Sequence, residues 1–215
     1  MAYHGYLNLM TTYADQIFKQ QKNLVRILEV GVLNGATLCT LVNNLNFRKI
    51  QYRYVGVDVK LEQNVIIFAA SCEKTNNSTI RFSNKSSIDY LKSENDIYDI
   101  ILIDGDHNYP TVSEECQQLY KLTHQNTIII FDDYSGKFEE NDNFYSNQPG
   151  WEDISNLATH NPNSKKGVKI AVDEFVDQNN LNSFKLDGEP IIVFRKENNL
   201  IKVNRADASS SKKDI

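Results

Sequence analysis

The sequence predicts a doubly wound α/β fold: a seven-stranded sheet with helices on both faces and a last strand that runs antiparallel. Three observations predict it. Short apolar runs alternate with stretches of helical periodicity along the whole chain. The run Ile100-Ile-Leu-Ile103 is continuously apolar, as in a central parallel strand covered on both faces. Asp187-Gly188 separates two final strand-like segments in the manner of a hairpin turn.

Taken in order, Met10, Ala14, Ile17 and Phe18 share one helical face, so residues 1–22 are predicted to hold a helix that packs on the sheet or on a partner subunit. Ile27 to Val30 reads as the first strand and runs through Glu29-x-Gly31-x-x-x-Gly35 into a helix striped by Leu38, Leu41, Val42 and Leu45. Tyr52 to Val59 reads as the second strand, 61–70 as a short helix and Thr79 to Phe82 as the third strand. Ser86-x-x-Asp89 has the form of a capping box and opens the helix carrying Ile88 and Leu91. Tyr98 to Asp104 is the predicted fourth strand; Pro110 then sits near the start of a helix with Val112, Cys116, Leu119 and Tyr120 on one face. Thr127 to Phe131 is the predicted fifth strand, stopping at Asp132 and Asp133. Val168, Ala171, Val172, Phe175 and Val176 mark the last helix, with Ser183 to Leu186 and Pro190 to Arg195 as the closing strands.

Residues 134–167 break the pattern with a polar insertion, predicted as a lid or binding loop whose Phe144, Tyr145 and Trp151 stack on an acceptor or anchor the loop itself. The tail 206–215 is predicted to be disordered. Residues 1–205 are thus predicted as one domain, long enough to bury a full core without disulfides or structural metals.

Composition narrows the function classes. The formal net charge of -5 opposes non-specific binding to nucleic acid or to an anionic membrane surface. Cys39, Cys72 and Cys116 are odd in number and lack C-x-x-C spacing, which suits reduced thiols in a cytoplasmic protein. No window approaches the ~18 apolar residues of a membrane span, and the start of the chain lacks a basic segment followed by an apolar one, so the expectation is a soluble, unexported protein.

The chemistry is concentrated where strands end. Gly31 permits a sharp turn, Gly35 lets the next helix begin close to a ligand, and the free amides at that helix start favour an anionic group. In an open parallel sheet, ligands bind beyond the carboxyl ends of the strands, and there stand Glu29, Asp58, Ser86, Asp104, Asp106, His107, Asp132 and Asp133. Asp58 is placed to accept ribose hydroxyls; its plainer reading is a turn residue capping the next helix. Asp104, Asp132 and Asp133 would repel one another unless protonated or joined by a cation, and Mg²⁺ suits such oxygen ligands. The plainer reading has one of them binding cofactor and another capping a helix. His107 is a candidate general base, with Asp106 as its rival; His4, His124 and His160 sit in unpatterned contexts and are assigned no role.

On Glu29-x-Gly31-x-x-x-Gly35, Asp58, Ile103-Asp-Gly-Asp-His-x-Tyr109, Phe131-Asp-Asp133 and Val168-Lys-Ile-Ala-Val-Asp-Glu-Phe175, the chain resembles class I S-adenosylmethionine-dependent methyltransferases. Within them it is similar to the metal-dependent O-methyltransferases of the macrocin and sugar-modifying type, over roughly residues 24–196. The resemblance implies a Rossmann-like sheet, with S-adenosylmethionine bound by Glu29, Gly31, Asn34, Gly35, Asp58, Ser86 and Asp104. It implies Mg²⁺ on Asp104, Asp132 and Asp133, with His107 matching the base of one branch and Asp106 that of another. It further implies methylation of a hydroxyl on a small-molecule or glycan acceptor, a sugar or other vicinal diol. A homodimer through the N-terminal helix and the insertion is also an expectation. Two other readings stay open: a metal-dependent glycosyltransferase using Asp104-Gly-Asp106 as D-x-D, which leaves the glycine loop without a task, and a non-catalytic small-molecule binding protein. A nicotinamide oxidoreductase fits less well, because the loop lacks G-x-G-x-x-G.

Overall fold

The computed structural model describes residues 6–21, 24–72, 78–142, 166–186, 188 and 190–201. Phe144, Tyr145 and Trp151 of the predicted insertion, the tail from Ala206, Asp187, His4 and His160 lie outside the described residues.

The elements run α1 (Tyr6–Gln21), β1 (Val25–Val30), α2 (Ala36–Phe47), β2 (Tyr52–Val57), α3 (Gln63–Cys72), β3 (Thr79–Ser83), α4 (Ser87–Ser93), β4 (Tyr98–Ile103), α5 (Tyr109–Leu119), β5 (Thr123–Phe131), α6 (Val168–Gln178), β6 (Asn182–Lys185) and β7 (Ile191–Phe194). One seven-stranded sheet has the order β3-β2-β1-β4-β5-β7-β6. β1 to β5 pair in parallel, while β7 runs antiparallel to both β5 and β6, as the hairpin reading predicts. The strand order reverses between β1 and β4, which opens a crevice at their carboxyl ends.

Strand alternation sorts the apolar side chains into two layers. Ile27, Tyr54, Ile100, Leu102, Ile128 and Ile130 face α1, α2 and α3. Leu28, Val55, Ile101, Ile103, Ile129 and Phe131 face α4, α5 and α6. All six residues of β4 are buried, so this strand is held from both sides, each aliphatic side chain contributing about 1.5–3 kcal/mol of transfer free energy. That rigidity is what fixes the position of Asp104 at its end.

α1 buries Tyr6, Met10, Tyr13, Ala14 and Ile17 in the first layer, with Phe18 at its margin. Of the two predicted partners for this face, the chain's own sheet and α2 take it. β5 starts at Thr123, earlier than the apolar run indicates, because Thr123 pairs with Tyr98 before a register shift and its polar neighbours leave no hydrophobic signal. β2 stops at Val57 where Asp58 turns the chain by accepting the Lys60 amide. The Ser86 hydroxyl caps α4 by accepting from the Asp89 amide at 3.1 Å. Cys39, Cys72 and Cys116 are free thiols. Among the described residues, no helix is long and apolar enough to cross a membrane.

Candidate functional site

The glycine loop is shaped by its neighbours. Gly31 has φ 87°, and a Cβ there would lie 1.9 Å from the Asp104 carbonyl oxygen. Gly35 has φ 75° and rests against the Val65 side chain, where a Cβ would stand 3.0 Å from Cγ2. Asn34 Oδ1 accepts from the Ala36 amide at 3.1 Å and so satisfies one orphan donor at the start of α2. Asp58 Oδ2 accepts from the Leu33 amide at 2.7 Å and its Oδ1 from the Lys60 amide at 2.8 Å. Asp58 therefore ties the loop to the end of β2, and each oxygen keeps a second lone pair for a hydroxyl of a bound ligand. Glu29 is 1% exposed and accepts the Tyr54 phenol. Burial pushes its carboxyl up to about 8 against the opposing effect of that bond, so it is largely protonated at neutral pH. Ser86 stands at the neighbouring strand end with its hydroxyl engaged in the α4 cap.

The adjacent ends of β4 and β5 assemble the acidic groups. Ile103 pairs with Phe131, and the Asp132 amide donates to the Ile103 carbonyl at 3.0 Å, which brings Asp104 beside Asp132 and Asp133. Burial, then Asp132, Glu29 and Asp133 in turn, hold the Asp104 carboxyl well above the ordinary carboxylate range. Asp133 has φ 51°, the left-handed region that aspartate tolerates better than most residues. Its Oδ2 lies 3.0 Å from His107 Nδ1. The imidazole stacks on Phe138, with centroids 4.7 Å apart and planes 7° from parallel. Burial, then Lys137, lowers His107 to about 4, so it is a neutral imidazole near pH 7.

Asp104, His107 and Asp133 each offer one ligand atom, all within 4.8 Å of one another. Asp132 and Asp133 both lie against Asp104, and His107 stands beside them. The carboxylates of such a group are fitting oxygen ligands for a divalent cation, with the imidazole next to them. Asp106 is drawn elsewhere: its Oδ2 accepts the Thr111 hydroxyl at 2.5 Å, at the start of α5.

Residues 28–134 match a protein family described as a methyltransferase domain, a span that takes in every site residue named above except Phe138 and Lys137. Over that span, just under half of the chain, and in its sheet order, the chain resembles the class I S-adenosylmethionine-dependent methyltransferases. An uncharacterized protein of Acanthamoeba polyphaga mimivirus is 23% identical over 146 residues, 61% of this chain and 60% of that relative, so the chain spans under two thirds of its length. Among solved structures, the fold is similar to CalS11, a TDP-rhamnose 3'-O-methyltransferase of calicheamicin biosynthesis (TM-score 0.58, 14% identity, 87% of this chain and 78% of that one). It is also similar to the mycinamycin-pathway methyltransferase MycE in complex with Mg, SAH and mycinamycin VI (TM-score 0.53, 15% identity, 87% and 49%).

Two residues of this site escaped the sequence reading. Tyr6, fully buried at the start of α1, has its hydroxyl 3.5 Å from Thr37 Oγ1. Burial, then Asp104 and Asp132, raise its phenol far above the ordinary value. Its position one turn before Met10 on the same helical stripe is the signal that could have found it. Phe138 lies in a non-periodic segment and carries no such signal. His124, given no role from sequence, bonds Asp99 at 2.9 Å while Asp99 also accepts the Arg26 amide at 2.7 Å. These three residues tie together the amino-terminal parts of the strands, at the end of the sheet remote from the site.

Proposed function

We propose that this methyltransferase moves the methyl group of S-adenosylmethionine to a hydroxyl of a sugar or other vicinal diol, aided by a divalent cation such as Mg²⁺. The observation that carries the reading is the His107–Asp133 pair standing beside Asp104 at the crevice where the glycine loop also ends. The loop Gly31 to Gly35, with Asp58, Ser86 and Glu29 around it, would hold the cofactor. Asp104 and Asp133, with Asp132 against Asp104, would hold the cation. When bound, the cation supplies Lewis acidity that lowers the pKa of an acceptor hydroxyl.

The chain's own part is proton transfer and alignment. With Nδ1–H donated to Asp133, the neutral His107 ring presents Nε2 as the lone pair that takes the hydroxyl proton. Asp133 then stabilises the imidazolium, as the orienting carboxylate does in an acid–base dyad. The acceptor oxygen gains the methyl carbon as the carbon–sulfur bond breaks, leaving S-adenosylhomocysteine. Two proteins of similar fold, a TDP-rhamnose 3'-O-methyltransferase and a methyltransferase solved with Mg, SAH and mycinamycin VI, support the acceptor class and the cation as proposals.

The test is calorimetric titration with S-adenosylhomocysteine, followed by radiolabelled methyl transfer to a panel of nucleotide sugars, glycosides and catechols with and without Mg²⁺. His107→Ala is expected to lower kcat by roughly 10²–10⁴-fold and leave S-adenosylhomocysteine affinity unchanged. Binding of a nucleoside diphosphate in place of S-adenosylhomocysteine would overturn the proposal in favour of a glycosyltransferase.

A further inference from the structure

We propose that Phe138 is a positioning residue for His107, and that Gly167 at the start of α6 sets Phe138 in turn. The inference rests on the reading of His107 as the base.

His107 Nδ1 meets Asp133 Oδ2 at 3.0 Å at one edge of the imidazole. Phe138 gives the plane of the ring a near-parallel face, 4.7 Å centroid to centroid and 7° from coplanar. Lys137 lies with Nζ 4.8 Å from the Phe138 centroid.

The phenyl ring must itself be anchored, because 134–142 has neither helix nor strand to hold it. The anchor is α6. Val168, first residue of that helix, donates its amide to the Phe138 carbonyl at 3.0 Å, which satisfies an orphan donor of the helix start. Gly167 lies so close that a Cβ on it would stand 2.1 Å from the Phe138 oxygen and 2.6 Å from the Glu139 oxygen. The φ at Gly167 is -118°, so the glycine is required by proximity and not by backbone conformation. A chain of contacts thus runs from Gly167 and Val168 through the Phe138 backbone and ring to the imidazole. Phe138 and Gly167 both lie beyond the residues that match the methyltransferase family.

The test compares Phe138→Leu, which keeps an apolar side chain and loses the flat face, with Phe138→Tyr, which keeps the face. The first readout is the NMR spectrum of the His107 ring in protein labelled at histidine, assigned with His107→Ala. Ring-current shielding by a stacked phenyl moves the imidazole carbon-bound protons upfield; the displacement is expected in wild type and Phe138→Tyr and lost in Phe138→Leu. The second readout is turnover: kcat falls about tenfold in Phe138→Leu, with S-adenosylhomocysteine affinity within about twofold of wild type, and Phe138→Tyr restores it. Gly167→Ala is expected to reproduce the leucine variant. Identical His107 ring signals in wild type and Phe138→Leu would overturn the inference, as would undiminished kcat in Phe138→Leu. The spectrum decides the placement even if no acceptor is turned over, so a failed methyl-transfer reading and a failed stack give different results.

Discussion

Gly31 stands against the backbone of Asp104 so closely that a methyl group on it would overlap the Asp104 carbonyl oxygen, 1.9 Å away. The residue that bends the cofactor loop and the residue that heads the acidic group are therefore locked together through main chain, with the Asp104 amide also donating to the Val30 carbonyl at 2.9 Å. Gly31→Ala is expected to force β1 and β4 apart at their ends. It should cost about 2 kcal/mol or more in a urea unfolding titration and remove measurable S-adenosylhomocysteine binding. A variant that binds normally would contradict this coupling.

Asp58 anchors the same loop from the other side through the Leu33 and Lys60 amides. Asp58→Ala is expected to weaken S-adenosylhomocysteine binding by about 10- to 100-fold, the loss of one or two charge-assisted hydrogen bonds. Asp58→Asn, which keeps one acceptor, should fall between the two. Calorimetry on the three proteins is the check.

Asp104 is crowded by Asp132, Glu29 and Asp133 in a buried position. With no cation, removing one acid relieves the crowding, so Asp104→Asn is expected to raise the Tm of chelator-treated protein by a few degrees. The same variant should lose the Tm rise that Mg²⁺ or Mn²⁺ gives wild type by binding only the folded state. Scanning calorimetry with and without cation reads both effects, and a lowered Tm in chelator would show that the acids are not in conflict.

Glu115 is fully buried in α5, with Ser87 and Asp106 as polar neighbours, and burial pushes its carboxyl up to about 8. The folded state thus binds a proton more tightly than the unfolded chain, whose glutamate titrates near the ordinary value of about 4.3. The resulting stability is fully present below that value and is lost as pH rises through about 8. Urea midpoints should therefore fall between pH 5 and about 8, and Glu115→Gln should flatten the decline. An unchanged slope in the variant would assign the dependence to another group.

The parts legible from sequence were those whose cause is local. β4 could be read because all its residues are buried and the apolar run stops abruptly at Asp104. The α4 cap was legible because Ser86 and Asp89 interact within one turn. The first half of β5 was not, since its pairing rests on a single contact of Thr123 with Tyr98. Nor could two consecutive aspartates reveal which of them meets His107; in the folded chain Asp133 does, at 3.0 Å. Phe138 was beyond reach for a similar reason: its ring meets His107 only once the segments after β4 and β5 have converged in space.

The position of β7 has a bearing on how the protein is made. Among the described residues β6 pairs only with β7, and β7 slots between β5 and β6, so β6 has nowhere to dock until β7 arrives. On a ribosome, β1 to β5 can assemble as they emerge, but the open flank of β5 waits for residues near 191–194 to clear the exit tunnel. A stalled nascent chain ending shortly before that point would present an apolar, unpaired strand edge, a natural substrate for chaperones.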